Sequence, residues 1–182
     1  MNISIVGGGD LSMAFIKQTS HNVIVYSHKD YDLTKQDRCL SLCKHLIDTD
    51  AVIITAGSFD SDLWNMWLIN TVAPSYIICC LNDRQYKGQI IVISSNGANW
   101  TSWPEISQSR LVYNTSKQAI SKFVAGIEHA ENSGKYIIIE PSKFQSKMSQ
   151  YQGSDIAHVV NAIEYALANS VTKITLPSPK QL

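Results

Sequence analysis

The chain has 182 residues, 45% of them hydrophobic and 16% charged, which suffices for one buried core and is too apolar for a disordered chain. Fifteen basic residues balance fifteen acidic ones, so the formal net charge is zero, which argues against a nucleic-acid binder that works by neutralising phosphates. No apolar run reaches bilayer-spanning length, and no leader precedes the first strand-like segment, so a cytoplasmic protein with neither membrane nor nucleic-acid partners is expected.

Strand-like and helix-like segments alternate along the whole chain. "NISIV" (2–6) predicts a strand that ends in glycines, and "LSMAFIKQ" (11–18) has helical spacing. A second strand follows at 22–27 and an amphipathic helix at 38–47. "AVIITAG" (51–57) is β-branched and apolar throughout, as buried parallel strands are. A long helix is expected over 62–83, with Pro74 as a kink or break. Then come a buried strand at 89–95, a helix at 112–132 closed by Gly134, and a strand at 136–142 stopped by Pro141. A helix at 153–169, capped by Ser154 or Asp155, and a strand at 173–177 complete the pattern. Such alternation predicts an α/β fold, a Rossmann-type doubly wound parallel sheet, with residues 1–182 forming a single domain.

The four cysteines do not space as a zinc site, and Cys79 and Cys80 read as small buried hydrophobes. His45, His129 and His158 fall on helices without ligand partners at metal spacing, so no metal is expected. Trp64, Met66 and Trp67 recur at helical spacing, which suits packing or an interface better than a pocket.

The first turn, "IVGGGDLSMAF", places three glycines between a strand and a helix. There the backbone can approach a pyrophosphate, and the helix N-terminus favours its charge. Gly7 and Gly9 fit the first two positions of GxGxxG, Ser12 stands at the third, and Leu11 lies beside it in the same cofactor turn. Asp10 adds a negative charge close to the expected phosphates. At the end of the second strand NAD-binding proteins carry an acid for the ribose hydroxyls. Here Ser27, His28 and Lys29 come first and no carboxylate appears before Asp30, so a 2′-phosphate, and hence NADP(H) over NAD(H), is favoured.

Residues 111–120 read "LVYNTSKQAI". Tyr113 and Lys117 are four apart and share a helix face. An adjacent lysine is expected to stabilise the phenolate and lower the phenol's pKa, which would equip Tyr113 as a general acid.

With these residues in place the chain resembles the short-chain dehydrogenase/reductase family, nearly end to end. The family's YxxxK motif is "YNTSK"; its catalytic serine is matched in "VISS" by Ser95, with Ser94 beside it; its helix asparagine is Asn70 in "WLINTVAP". Its NNAG strand end is "ITAG", which keeps Ala56 and Gly57 and puts Thr55 where the family has asparagine. Its adenine motif matches Asp32, Leu33 and Thr34. Its PG motif is "EPSKFQSKM", with Pro141 kept and Ser142 replacing glycine. In that register Phe144 offers backbone groups to the nicotinamide amide and Ser146 replaces a threonine. The late "DIA" helix is matched by Asp155, Ile156 and Ala157.

The resemblance implies an NADP-dependent oxidoreductase acting on a small-molecule carbonyl or alcohol substrate. Tyr113 is then the acid, Lys117 its tuner and ribose ligand, Ser95 a donor to the substrate oxygen, and Asn70 the holder of a proton-relay water. It also implies a homodimer or homotetramer through the helices at 62–83 and 112–132. The chain departs from the family in a shortened glycine loop and in the insert "NGANWTSWPEISQSR", whose Trp100 and Trp103 are candidates to line a substrate pocket. The substrate-binding loop is nearly missing after Met148, and the short stretch before "AVIITAG" leaves little room for a third strand. A nucleotide-binding scaffold or sensor on the same fold is the alternative. An epimerase of the extended branch is excluded, because it needs a larger C-terminal domain.

Overall fold

Alternation of side chains along each strand decides which helices cover which face of the sheet. A computed structural model of the protein describes residues 1–99, 107–131 and 135–177. Six parallel strands, β1 (Asn2–Val6), β2 (Asn22–Tyr26), β3 (Ala51–Ile54), β4 (Gln89–Ile93), β5 (Tyr136–Glu140) and β6 (Lys173–Thr175), lie in the order β2-β1-β3-β4-β5-β6. Ile3, Ile5, Ile53, Ile91, Ile137 and Ile139 point to one face, where α1 (Asp10–Gln18) and α6 (Ala157–Ala168) add Phe15, Val159 and Ile163. Val6, Val52, Ile54, Val92 and Ile138 point to the other. There α2 (Gln36–Leu46), α4 (Ala73–Asp83) and α5 (Gln108–Glu131) add Leu42, Ile77 and Val124. β3 and β5 are buried along their whole length, as the apolar runs predict, whereas the edge strands β2 and β6 are not.

The strand order reverses between β1 and β3, which is where an open α/β sheet leaves a crevice at its carboxyl edge. Among the described residues no strand lies outside β2. Its end leads through turns, closed by Asp30 N–H to Ser27 O and Lys35 N–H to Asp32 O at 3.0 Å each, into α2. The short segment thus accommodates turns in place of the outermost strand of the full dinucleotide-binding order.

Several boundaries differ from the sequence expectation. The long helix at 62–83 is not uniform: α3 (Leu63–Trp67), whose N-cap Asp62 accepts from Asn65 N–H at 3.0 Å, runs into a π-helical turn at Leu68–Val72 and then α4. Pro74 explains the change, because it has no N–H for the Asn70 carbonyl four residues earlier. α5 begins at Gln108 rather than 112, since "QSR" carries no apolar periodicity to reveal a helix. α6 begins at Ala157 rather than 153. Gly153 turns the chain at φ +113, and Asp155 accepts the Ala157 N–H at 2.9 Å from outside the helix. Cys79 is exposed, contrary to expectation, because adjacent helical positions face about 100° apart and Cys80 takes the buried one. Trp64 is 67% exposed while Met66 is buried. Gly134, Trp100 and Trp103 lie outside the described residues.

Candidate active site

The site begins with the turn after β1. Gly7 has φ +123, and a Cβ there would stand 2.6 Å from both Ala56 N and Thr55 Oγ1, so this position admits only glycine. A Cβ at Gly8 would meet Ser27 Cβ at 2.8 Å, whereas Gly9 faces open space. Ser12 is fully buried. Its hydroxyl donates to the Gly7 carbonyl and lies 2.9 Å from Thr55 Oγ1. Ser12 thereby draws α1 onto the sheet, the packing task of a third glycine in a dinucleotide turn. Asp10 does not point into the cleft as a free charge: its Oδ2 accepts the Lys147 backbone N–H at 2.6 Å and ties the glycine turn to the loop after β5.

These segments wall a cleft of about 1090 Å3 that runs over the carboxyl ends of the strands. At one end the turn after β2 contributes Ser27 and His28, followed by Tyr31, Asp32 and Leu33. Lys29 is not among the lining residues. Asp30 Oδ2 accepts from Ser27 N–H at 2.9 Å and from Ser27 Oγ at 2.7 Å, so the hydroxyl expected to meet a 2′-phosphate already has a carboxylate on it. These two bonds hold the Asp30 carboxyl below its ordinary pKa. Asp32 is committed as well, accepting the Thr34 N–H at 3.0 Å and its hydroxyl at 2.7 Å. Tyr26 and Tyr31 meet edge to face, 5.8 Å between centroids, at this end.

At the other end Ala56, Gly57, Ser95, Tyr113, Lys117, Pro141, Phe144 and Ser146 all line the cleft. Ser95 lies beside the Tyr113 phenol and lowers its pKa, while its Oγ accepts the Gly97 N–H at 3.2 Å. Ser94 faces inward instead, donating to the Lys117 carbonyl at 2.9 Å and accepting from Ser121 Oγ at 2.7 Å, and this locks β4 to α5. Of the two serines, Ser95 is the one at the phenol. Lys117 is 4% exposed and its Nζ donates to the Ile93 carbonyl at 3.1 Å. A Cβ on Gly57 would stand 3.2 Å from Lys117 Nζ and 3.5 Å from Asn70 Oδ1, so both groups close on this glycine.

Asn70 is fully buried behind the cleft rather than in its wall. Its Oδ1 accepts from Ser58 N–H at 2.8 Å, and its Nδ2 donates to the Ser58 carbonyl at 2.9 Å and to Ser116 Oγ at 3.1 Å. The side chain pins the loop after β3 to α5. In the loop after β5, Phe144 gives its carbonyl to Ser149 Oγ at 2.6 Å, and Ser146 N–H donates to the same hydroxyl at 3.0 Å.

The expected tuning of Tyr113 by Lys117 does not appear. Burial pushes the phenol up, and the Arg110 guanidinium and the Ser95 hydrogen bond pull it partly back. Burial alone brings the Lys117 ammonium down to about 8. The cation that acts on Tyr113 is therefore Arg110, which the sequence reading missed because its helical turn carried no apolar signal. Two turns of α5 line the cleft with Arg110, Tyr113, Asn114 and Lys117, at i, i+3, i+4 and i+7 on one face.

No family sequence model and no curated protein sequence matches the chain. Solved structures do. A short-chain dehydrogenase from Burkholderia cenocepacia J2315 in complex with NADP aligns over 96% of this chain and 87% of its own, with TM-score 0.76 and 14% identity. The fold is that of the short-chain dehydrogenases/reductases. An alcohol dehydrogenase from the archaeon Thermococcus sibiricus, complexed with 5-hydroxy-NADP, has the same fold over 100% of this chain and 98% of its own, with TM-score 0.75 and 13% identity. The protein lin1944 from Listeria innocua aligns over 97% and 100% with TM-score 0.80 and 14% identity. The glycine cradle, open at Gly9 and closed to side chains at Gly7 and Gly8, fits the pyrophosphate of a nicotinamide dinucleotide, and the cleft has room for the rest.

Proposed function

We propose that the protein is an NADP(H)-dependent oxidoreductase of the short-chain dehydrogenase/reductase type, acting on a small carbonyl or alcohol substrate. The observation that carries this reading is the convergence of Ser95 and Tyr113 at one end of a dinucleotide-sized cleft, with Lys117 buried at the same end. Gly7, Gly9, Leu11 and Ser12 form the pyrophosphate turn, Asp32 and Leu33 the adenine end, and Ala56, Gly57, Pro141, Phe144 and Ser146 the nicotinamide end. The bound cofactor supplies the hydride.

This chain's own residues supply the rest. As the substrate oxygen gains charge, Tyr113 gives it the phenolic proton, and burial keeps that proton on the phenol until then. Ser95 donates a second hydrogen bond to the same oxygen. Lys117, anchored on the Ile93 carbonyl, holds the proton that restores the phenol. Asn70 is a positioning residue, fixing Ser58 against Ser116.

The preference for NADP(H) rests on Ser27 and His28 at the end of β2. Asp30 opposes it, so a 2′-phosphate must displace that carboxylate from Ser27. Paired titrations of NADPH and NADH by cofactor fluorescence test the preference; Ser27→Asp shifts it toward NADH, and an unchanged ratio counts against the assignment. A cytoplasmic homodimer or homotetramer is proposed too, with Trp64, Val72 and Leu111, all exposed on α3 to α5, as its contact face. Light scattering on Trp64→Asp tests it, with a monomer expected.

A nucleotide-binding scaffold is the second reading. It is favoured by the connection over the described residues 141–156 between β5 and α6, which carries no helix to cover a substrate. Screening carbonyl compounds for NADPH loss decides: cofactor binding with no loss against any of them supports the scaffold.

A further inference from the structure

Two side chains of the α5 wall have no ligand assigned to them above. Arg110 is exposed at the cleft mouth, its guanidinium 4.8 Å above the Phe59 ring, and Phe59 in turn meets Tyr113 edge to face at 5.5 Å. Among the described residues Arg110 makes no ion pair, and Phe59 steers it without neutralising it. Asn114 is 3% exposed and lines the cleft, yet its carboxamide has no hydrogen-bond partner among the described residues. It stands against Gly97, where a Cβ would be 2.8 Å from Asn114 Oδ1 and 3.5 Å from Ser95 Oγ. The carboxamide opens into the cleft beside Ser95 and is available to a ligand.

We infer that the substrate is a short oxo acid whose carboxylate is read by Arg110, with Asn114 donating its amide N–H to an oxygen of the same acid while Tyr113 and Ser95 meet the carbonyl. Arg110 and Tyr113 stand at i and i+3 on α5 and both meet the Phe59 ring, so one short ligand can reach the two groups together. The planar guanidinium can take such a carboxylate through two parallel hydrogen bonds. The inference deepens the oxidoreductase reading and rests on it for the identity of the reacting group. The Coulombic pull of Arg110 on the Tyr113 phenol is consistent with the two groups serving one ligand.

The test is calorimetric titration of 3-oxobutanoate and of its neutral analogue 3-oxobutanamide into the protein with excess NADP+, where no reduction can occur. The wild type should bind the acid about tenfold to a hundredfold more tightly than the amide, as a charge-assisted contact implies. Arg110→Gln should erase that preference and Arg110→Lys should restore part of it; Arg110 is exposed, so neither change threatens folding. Equal affinities in the wild type, binding of neither compound, or a preference that survives in Arg110→Gln overturns the inference. Because the titration needs no hydride transfer, charge-selective binding without NADPH consumption would refute the oxidoreductase reading alone. Reduction of neutral carbonyl compounds with no preference for the acid would refute the anion site alone.

Discussion

Lys117 Nζ donates to the Ile93 carbonyl at 3.1 Å, at a position where the side chain is only 4% exposed. One neutral acceptor does not repay the solvation the ammonium loses, and its pKa falls to about 8. Below that pH both folded and unfolded chains hold the proton and the penalty is complete. It fades as pH rises toward the ordinary lysine value, above which neither state is charged. Lys117→Met should therefore be more stable than the wild type by about 3 kcal/mol at pH 7. That difference should shrink between pH 8 and 10.5. Urea melts of both proteins across this range check it; a constant difference would contradict the buried charge.

The same lysine predicts a kinetic profile. If its protonated form restores Tyr113, the rate of carbonyl reduction should fall as pH rises through about 8. Initial rates of NADPH consumption between pH 6 and 10 measure this.

Gly7 tests the turn. Alanine would need φ +123 and would drive its methyl against Ala56 N and Thr55 Oγ1. Gly7→Ala should cost about 2 kcal/mol or more and weaken NADPH binding at least tenfold. Gly9→Ala meets nothing in the protein and should leave the melt unchanged while still affecting the cofactor.

Asn70 tests the scaffold behind the site. Alanine there strands the Ser58 N–H and the Ser58 carbonyl, with an expected loss of about 2–3 kcal/mol. Chemical denaturation measures it.

How far the sequence carried this account varies by element. Periodicity placed all six strands, because apolar β-branched runs between glycines have few alternatives. The sequence places strand ends too far along, since "TAG" and "SS" follow the apolar runs with no charged residue or proline to mark where the backbone turns into the cleft. The π-helical turn around Asn70 was invisible beyond the hint of Pro74, because its cause is a missing donor and not a pattern of side chains. Gly7, Ser95, Tyr113 and Lys117 could be located by motif. The engagement of Ser27 by Asp30, of Asp10 by the Lys147 N–H, and of Asn70 by Ser58 could not, because each depends on a loop conformation or a long-range contact. Arg110 was missed for a related reason: its place on the Tyr113 face follows only once α5 is known to start before residue 110.

Asp30 offers the sharpest prediction on cofactor choice. Its carboxylate lies on Ser27, where a 2′-phosphate would bring like charge. Asp30→Asn should raise NADPH affinity relative to NADH about fivefold, the scale of one exposed charge interaction. Fluorescence titration of both cofactors gives the ratio, and no change would place the 2′ position away from Ser27.

The central claim is that Tyr113 is the proton donor of an NADPH-dependent reduction. The direct measurement is NADPH consumption by wild type and Tyr113→Phe with a carbonyl panel that includes 3-oxobutanoate, alongside NADPH binding to each. The account predicts turnover by the wild type, a loss of about a hundredfold or more in the variant, and undiminished NADPH binding. Equal rates in the two proteins, or none in either while both bind NADPH, would contradict it.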